Sequence, residues 1–297
     1  MKVAEMYTSR ADPSQRLRDD ELDLFGLTHP GSVRTENQDH FLVGTVHPEV
    51  IVHGTSLPDV NSLPLRGERL ASLFLVADGV SGGDGGSDAS RIAAETIARY
   101  VSSTLRSYHA AGTSDESKLL ESLRAAALEA HRAVRAAATS RRDGHAMATT
   151  LTLGLVVWPW LYVVQLGDSR CYYFWNGGAQ QVTRDQTIGQ DLVDQGLLAP
   201  ERLPASPFKD ILSSAAGADE AVPEVSRVRV DREGSAVFFC SDGVTKHVTD
   251  DEIALAITEQ PTSEDVCRTL LGLALERGTS DNITMVVGRR RRTPPHS

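Results

Sequence analysis

Apolar residues along the chain follow two spacings, one typical of strands and one of helices. Short, largely apolar runs closed by glycine, proline or polar residues predict buried strands. Such runs cover residues 24–28, 41–46, 73–77, 148–157, 161–174, 225–230, 236–240 and 283–287. Apolar residues spaced three or four apart predict amphipathic helices. These stripes cover residues 87–105, 116–138, 188–196, 250–259 and 262–277, with Ser87 or Asp88, Thr249, and Thr262 or Ser263 as N-caps.

The order of these elements predicts an α+β fold. Strands and helices come in blocks, whereas a parallel sheet would require regular βαβ alternation. We therefore expect two packed antiparallel β-sheets flanked by helices on both sides. A single domain is expected at residues 21–288, after a loose N-terminal leader at 1–20. Residues 47–69 are predicted to be a surface insertion, and residues 289–297 a basic, solvated tail.

Five carboxylates stand at the ends of predicted strands, spread over almost the whole chain. They are Asp39, Asp78, Asp168, Asp242 and Asp281. Each Asp-Gly dipeptide taken alone is most often a simple turn, and that alternative stays open for single sites. A carboxylate at the end of a buried strand is costly unless a cation compensates its charge. Five of them, if they converge, predict an oxygen-rich site for a hard divalent cation.

Composition narrows the class of protein. The chain has 297 residues, of which 40% are hydrophobic, and a net charge of −10 at pH 7. This negative charge argues against a nucleic-acid partner. The three cysteines lie in or beside apolar runs, so we expect reduced core residues of an intracellular protein. The N-terminus lacks the apolar segment of a signal peptide, and a glycine and a proline interrupt the most apolar stretch at residues 151–166, so we expect a cytoplasmic protein with no membrane contact.

Six short motifs occur in order between residues 24 and 288. They are GSVRTENQD at 31–39, VADG at 76–79, ATTL at 148–151, GDSR at 167–170, SDG at 241–243 and SDN at 280–282. One Asp-Gly is a weak signal, but six ordered motifs over a whole domain are specific. With these motifs the sequence resembles the metal-dependent Ser/Thr protein phosphatases of the type 2C family (PPM), in its bacterial single-domain branch.

The resemblance implies a β-sandwich with two Mn²⁺ or Mg²⁺ ions at one end. By motif match, Asp78 bridges both ions and Gly79 gives its carbonyl oxygen to one of them. Asp242 and Asp281 complete the coordination of the other ion, and Asp39 acts directly or through water. These residue types suit the metals, because Mg²⁺ and Mn²⁺ prefer oxygen ligands.

Further roles also follow from the resemblance. Asp168, together with Asp242, matches the position that can hold a third, weaker ion in bacterial members. Arg34 matches the residue that binds the substrate phosphate, a role that suits the planar fork of a guanidinium. Arg34 and Asp78 are thus the predicted catalytic residues.

The implied function is a metal-dependent protein serine/threonine phosphatase. It would hydrolyse phosphoserine and phosphothreonine in phosphorylated proteins by direct attack of a metal-bridging water, and would counteract a Ser/Thr kinase. The alternative is a catalytically inert module that keeps the fold and binds a partner protein. Four positions depart from the pattern of many family members: Gln38, Val80 in place of histidine or methionine, Ala148, and Gln186 in the segment resembling the flap.

Overall fold

The structure of the chain is a computed structural model that describes residues 17–49, 67–80, 85–110, 116–141 and 146–291. Within these ranges the chain forms ten strands and six α-helices. The strands are β1 (Leu22–His29), β2 (His40–Val46), β3 (Ala71–Ala77), β4 (Leu151–Val157), β5 (Trp160–Leu166), β6 (Arg170–Trp175), β7 (Gly178–Gln181), β8 (Glu224–Arg229), β9 (Ala236–Cys240) and β10 (Ile283–Arg290). The helices are α1 (Gly85–Ala110), α2 (Glu116–Ser140), α3 (Ile188–Asp194), α4 (Asp242–Thr245), α5 (Asp250–Glu259) and α6 (Ser263–Glu276).

The strands form two five-stranded sheets in which every pairing is antiparallel. One sheet has the order β1-β10-β9-β6-β7 and the other the order β2-β3-β4-β5-β8. Helices pack on the outer face of each sheet. The predicted α+β architecture of two packed antiparallel sheets with helices on both sides is therefore confirmed.

Three layers of apolar side chains join the sheets and helices. Between the sheets, the ring of Phe74 on β3 stacks on that of Phe239 on β9, with centroids 5.5 Å apart. Helices α1 and α2 cover the second sheet with buried side chains such as Leu123. Helices α5 and α6 cover the first sheet with side chains such as Ile253 and Leu270. Because β3 and β9 are interior strands of their sheets, this stacking fixes one sheet relative to the other.

The closing helices begin where the sequence predicts. Thr249 caps α5 by accepting a hydrogen bond from the backbone N–H of Glu252, whose side chain accepts one from the N–H of Thr249 in return. The hydroxyl of Thr262 accepts a hydrogen bond from the N–H of Asp265 at the start of α6. Such caps satisfy backbone donors that the first turn of a helix leaves without partners.

The predicted caps of α1 are wrong. The helix begins at Gly85, so Ser87 and Asp88 lie within it. The carboxylate of Asp88 instead accepts hydrogen bonds from Arg91 at 3.0 Å and from Arg141 at 2.8 Å. The sequence did not indicate that Arg141, distant along the chain, would pair with this carboxylate.

The predicted strand at residues 161–174 is also wrong, because it is two strands in different sheets. Strand β5 ends at Leu166, and β6 begins at Arg170 in the other sheet. Gly167 has a φ of +99°, a backbone angle that favours glycine, and its N–H donates to the side-chain oxygen of Gln186 at 2.9 Å. The turn places Asp168 where the chain crosses from one sheet to the other.

The tail begins later than its predicted start at residue 289. Strand β10 continues to Arg290, and Arg289 is buried. The guanidinium of Arg289 donates to Asp23 at 3.1 Å and to the carbonyl oxygens of Ile257 and Gln260. These acceptors, from distant parts of the chain, compensate the buried charge. Most of the predicted leader and insertion lies outside the described residues.

Two expectations from composition concern the cysteines and the membrane. All three cysteines are free and buried, as predicted. Within the described ranges, none of the helices combines the length and the apolar character that crossing a bilayer requires.

Replacing Phe239 by alanine should test the contact between the sheets. Loss of a fully buried ring at this position should lower the free energy of unfolding by about 3–5 kcal/mol, because the stacked sheets cannot close the cavity. Denaturant titration measures this change. Phe208→Ala is the matched control, since Phe208 is 44% exposed and its loss should change stability by no more than about 0.5 kcal/mol. Equal effects of the two substitutions would contradict the assigned core.

Candidate metal centre and active site

A cavity of about 380 Å³ lies at one end of the sandwich. Its walls are formed by Arg34, Gln38, Asp78, Gly79, Val80, Asp168, Asp210, Leu212, Asp242, Lys246, Asp281 and Asn282. Four of the five predicted carboxylates are among these residues, although they are far apart in the sequence. The predicted phosphate-binding arginine and the predicted carbonyl ligand, Gly79, line the same cavity.

These carboxylates lie next to the ends of interior strands of the two sheets. Asp78 directly follows β3, and Asp242 lies two residues after the end of β9. Asp281 lies two residues before β10, the neighbour of β9, and Asp168 lies at the crossover from β5 to β6. Because β3 and β9 stack and end on the same side, carboxylates from both sheets face one space.

The fifth carboxylate, Asp39, lies beneath the cavity and is 3% exposed. Its Oδ2 accepts a hydrogen bond from the hydroxyl of Ser241 at 2.8 Å, and that hydroxyl accepts one from the N–H of Thr284 at 2.9 Å. Burial is the main cause of the raised pKa of Asp39, and a hydrogen bond with Asp78 and the negative charge of Asp242 also affect it. The structure therefore places four of the predicted carboxylates around one cavity and the fifth, Asp39, buried next to it; we call these five residues the carboxylate cluster.

Two buried carboxylate oxygens in this cluster have no hydrogen-bond partner in the described structure. They are Oδ1 of Asp39 and Oδ1 of Asp242. A buried polar atom without a partner costs about 1–3 kcal/mol, and more when it is charged. A cation that bound both atoms would remove this cost, so these oxygens suit a metal ion.

Burial and mutual repulsion raise the pKa values of the cluster. Burial raises the pKa of Asp39 to about 6, against hydrogen bonds from neighbouring hydroxyls. Burial, followed by repulsion from Asp242, raises the pKa of Asp168 to about 7. The pKa of Asp78 is raised well above its usual value by burial and then by the charges of Asp39 and Asp242. Positive charge next to these carboxyls would lower their pKa values and favour their ionised forms.

The carboxylates are not already arranged as a closed ligand set. Within the described ranges, no three His, Cys, Asp or Glu side chains stand together as a metal-ion site. The ammonium of Lys246 contacts the Asp242 carboxylate and lies 3.9 Å from that of Asp281. The shared cavity and the unpartnered carboxylate oxygens are the features that suit a cation at this end of the sandwich.

Hydrogen bonds from the Thr-Thr motif fix the backbone around Asp78. The hydroxyl of Thr149 and the N–H of Thr150 both donate to the carbonyl oxygen of Asp78 at 2.8 Å. The N–H of Asp78 donates to the hydroxyl of Thr150 at 3.0 Å. At Gly79, a Cβ atom would come within 2.4 Å of the carbonyl oxygen of Gly86. Glycine is required there because two backbone segments pass so closely.

Asn282 positions the segment that carries Arg34. Its side-chain nitrogen donates to the carbonyl oxygens of Pro30 and Glu36, and its side-chain oxygen accepts from the N–H of Gln38 at 2.9 Å. The guanidinium of Arg34 lies 3.3 Å from the Asp281 carboxylate, and its side chain is 54% exposed. Arg34 is thus held at the mouth of the cavity with donors free to turn toward a ligand.

Two charged cavity residues, Asp210 and Lys246, were missed by the sequence analysis. Lys246 could have been found, since it lies four residues after Asp242 and the two share one face of a helical turn. Asp210 lies in an irregular, proline-rich segment whose pattern gave no signal. Of the departures from the family pattern, Gln186 supports the turn at Gly167, while Val80 is exposed at the cavity and has no proton to give.

Comparisons with known proteins find protein phosphatases among the relatives of this chain. The family model described as "Protein phosphatase 2C" matches residues 59–272. The serine/threonine protein phosphatase PstP of Mycobacterium tuberculosis is 33% identical over 217 residues, which are 73% of this chain and 40% of that protein. The serine/threonine phosphatase stp of Listeria monocytogenes is 27% identical over 218 residues, 73% of this chain and 84% of that protein.

A solved structure extends the likeness over almost the whole fold. The catalytic domain of PstP in complex with two manganese ions matches with a TM-score of 0.68 and 27% identity, over 91% of this chain and 99% of that chain. The chain spans about 40% of the length of the full PstP protein. The family model covers most of the chain, and the resemblance inferred from the six motifs is confirmed. The chain belongs to the protein phosphatase 2C family.

Proposed function

We propose that the chain is a Mn²⁺- or Mg²⁺-dependent protein phosphatase that hydrolyses phosphoserine and phosphothreonine in proteins. The observation that carries this proposal is the cluster of carboxylates with unpartnered buried oxygens, beside an arginine at the cavity mouth. Family membership and the two manganese ions of the PstP catalytic domain support it. Metal-dependent release of phosphate from phosphopeptides is the direct test.

The carboxylates fit hard divalent cations. Asp39, Asp78 and Asp242 with the carbonyl of Gly79 would hold ions at the base of the cavity, and Asp281 would complete the set. Bound ions would supply Lewis-acid activation of water and would neutralise the charge of the phosphate. Asp168, whose pKa is raised by burial and by Asp242, is the remaining carboxylate and the candidate for a third, weaker ion.

Arg34 is proposed to bind the substrate phosphate. Its guanidinium lies beside an anion, the Asp281 carboxylate. The same guanidinium could form two parallel hydrogen bonds to a phosphate bound in the cavity. Such a contact would orient the phosphorus atom above the carboxylate cluster. Because Val80 offers no proton, the leaving serine or threonine oxygen must receive its proton from another group or from solvent.

Several further expectations stay predictions. A counteracting Ser/Thr kinase is expected because phosphorylated substrates require one, and the absence of nucleic-acid partners is expected from the net charge of −10. The domain at residues 21–288 encloses the matched range of residues 59–272. A cytoplasmic location also stays a prediction. A phosphoproteome comparison of cells with and without the protein would identify its substrates.

The metal-free protein should become less stable as pH rises from about 4 to about 7. Asp39 and Asp168 have folded-state pKa values of about 6 and about 7, against usual values of 3.8, so the folded chain binds protons more tightly than the unfolded chain. The stability that these two carboxyls contribute is therefore greatest below their unfolded-state pKa, and it is lost as pH rises to their folded-state pKa. Denaturant titrations in EDTA measure this slope. Asp168→Asn should reduce the slope of unfolding free energy against pH by up to about 1.4 kcal/mol per pH unit. Asp219 is exposed, so Asp219→Asn should leave the slope unchanged.

The same slope provides a test of the metal. Adding Mn²⁺ at pH 7 should restore the stability lost between acid and neutral pH, because bound cations favour the ionised carboxylates. An identical pH slope in wild type and Asp168→Asn would show that this carboxylate is not in a strained cluster.

Asp78→Asn should lower kcat/KM toward phosphopeptides by more than about 100-fold. Even mutating a residue that only hydrogen-bonds a metal ligand typically lowers metal affinity or activity about 10- to 100-fold. The amide removes a negative charge that would help to hold the ions. Phosphate release in the presence of Mn²⁺ measures the loss, with Asp219→Asn as the control for a carboxylate outside the cavity. Full turnover by Asp78→Asn would refute the proposed centre. No turnover by metal-saturated wild type would favour an inert binding module.

Arg34→Lys should lower kcat/KM by about 10- to 100-fold, mainly through KM, because it keeps the charge but loses the second hydrogen bond. The inhibition constant of inorganic phosphate should weaken in parallel. Arg132→Lys is the matched control, since Arg132 pairs with Glu129 on the surface of α2. Unchanged inhibition by phosphate in Arg34→Lys would rule out the proposed contact.

A further inference from the structure

Lys246 is a cavity residue with no role in the function proposed above. It directly follows α4, and its backbone N–H donates to the carbonyl oxygen of Asp242 at 2.9 Å. The spacing of four residues places the two side chains on one face of the turn. The ammonium of Lys246 contacts the Asp242 carboxylate, and its Nζ lies 3.9 Å from Oδ2 of Asp281.

The backbone of Lys246 is fixed, whereas the end of its side chain can move. Val244 and Val248 on either side of Lys246 are buried, so the backbone here cannot shift without disturbing the core. The Lys246 side chain is 37% exposed, against 19% for that of Asp242. A four-carbon stem on a fixed base can place its ammonium on the carboxylates or swing it into solvent.

The charges around Lys246 favour the inward position. Burial works against the ammonium, but attraction to Asp242 and then to Asp281 and Asp210 outweighs it and raises the pKa of Lys246. The second carboxylate, Asp281, also faces Arg34 at 3.3 Å. Both members of the Asp242–Asp281 pair are therefore contacted by positive side chains of the chain itself.

We propose that Lys246 is a tethered counter-ion that competes with divalent metal for the carboxylates of Asp242 and Asp281. This inference rests on the proposed metal-dependent function. With its ammonium inward, Lys246 neutralises a pair that would otherwise repel itself. A metal ion bound at Oδ1 of Asp242 would lie beside an ammonium that contacts Oδ2 of the same carboxylate, so the two positive charges would repel each other and the ion would drive the ammonium out.

The competition has two opposite effects on the protein. Without metal, Lys246 stabilises the fold by compensating carboxylates at the cavity. With metal, the cost of displacing it lowers the affinity of the ion bound by Asp242 and Asp281. A residue with a purely structural role would not produce both effects, since its loss would destabilise the metal-free and the metal-bound protein alike.

The test is a calorimetric titration of Mn²⁺ onto the full chain without substrate. Lys246→Met keeps the length of the stem and removes the charge, and it should bind Mn²⁺ about tenfold more tightly at the affected step, the size expected for a partly buried ion pair. Lys246→Arg keeps a positive charge and should behave like wild type. Lys118→Met, on the exposed surface of α2, is the control for loss of a lysine outside the cavity.

Thermal unfolding provides a second, independent readout. In EDTA, Lys246→Met should unfold at a lower temperature than wild type, and saturating Mn²⁺ should raise its Tm by more than it raises that of wild type. Equal Mn²⁺ affinities in wild type and Lys246→Met would overturn the proposal. So would unchanged metal affinity with weakened inhibition by inorganic phosphate, which would assign Lys246 to the substrate instead.

The failure of this inference is distinguishable from the failure of the proposed function. If none of the proteins binds Mn²⁺ at millimolar concentration, the metal-dependent function is refuted and the inference falls with it. If all of them bind Mn²⁺ equally and hydrolyse phosphopeptides, the function stands and only the role of Lys246 is overturned.

Discussion

Repulsion among the carboxylates gathered at one end of the sandwich opposes folding, so packing elsewhere must hold these side chains together. Burial and neighbouring negative charge raise the pKa values of Asp39, Asp78 and Asp168. Two buried oxygens of the cluster have no hydrogen-bond partner. Such an arrangement destabilises a protein by itself, so the fold must hold it in place with free energy gained elsewhere.

The apolar core between the sheets holds the carboxylates in place. Strands β3 and β9 are interior strands with neighbours on both sides, and their phenylalanine rings stack across the sandwich. Neither strand can move its end away from the other without losing this contact. Hydrogen bonds from Thr149 and Thr150 to Asp78, and from Ser241 to Asp39, then fix the last residues. Packing far from the cavity thus determines how closely the carboxylates approach.

The positive side chains at the cavity complete the electrostatic description. Arg34 and Lys246 both lie near Asp281, and Lys246 also contacts Asp242. Their charges compensate part of the cluster, and both side chains are exposed enough to leave it. The same carboxylates can therefore pair with the chain's own cations or with divalent ions. The balance between these partners would set the metal affinity of the protein.

Local sequence patterns were enough to predict most of the helices and strands, the fold class and the types of candidate ligand. Alternating blocks of apolar strands and amphipathic helices depend on local spacing, and caps such as Thr249 depend on residues three positions apart. The ordered Asp-containing motifs likewise depend on short stretches of chain. These features could be predicted because each is encoded within a few consecutive residues.

Tertiary structure alone decided which residues meet. The run of residues 161–174 looked like one strand, and only pairing with two different sheets divides it around Asp168. The pairing of Asp88 with Arg141, the burial of Arg289 and the approach of Lys246 to Asp281 were equally invisible in the sequence. Each of these contacts joins segments distant along the chain, so its geometry depends on how helices and strands pack in the folded chain rather than on any local pattern.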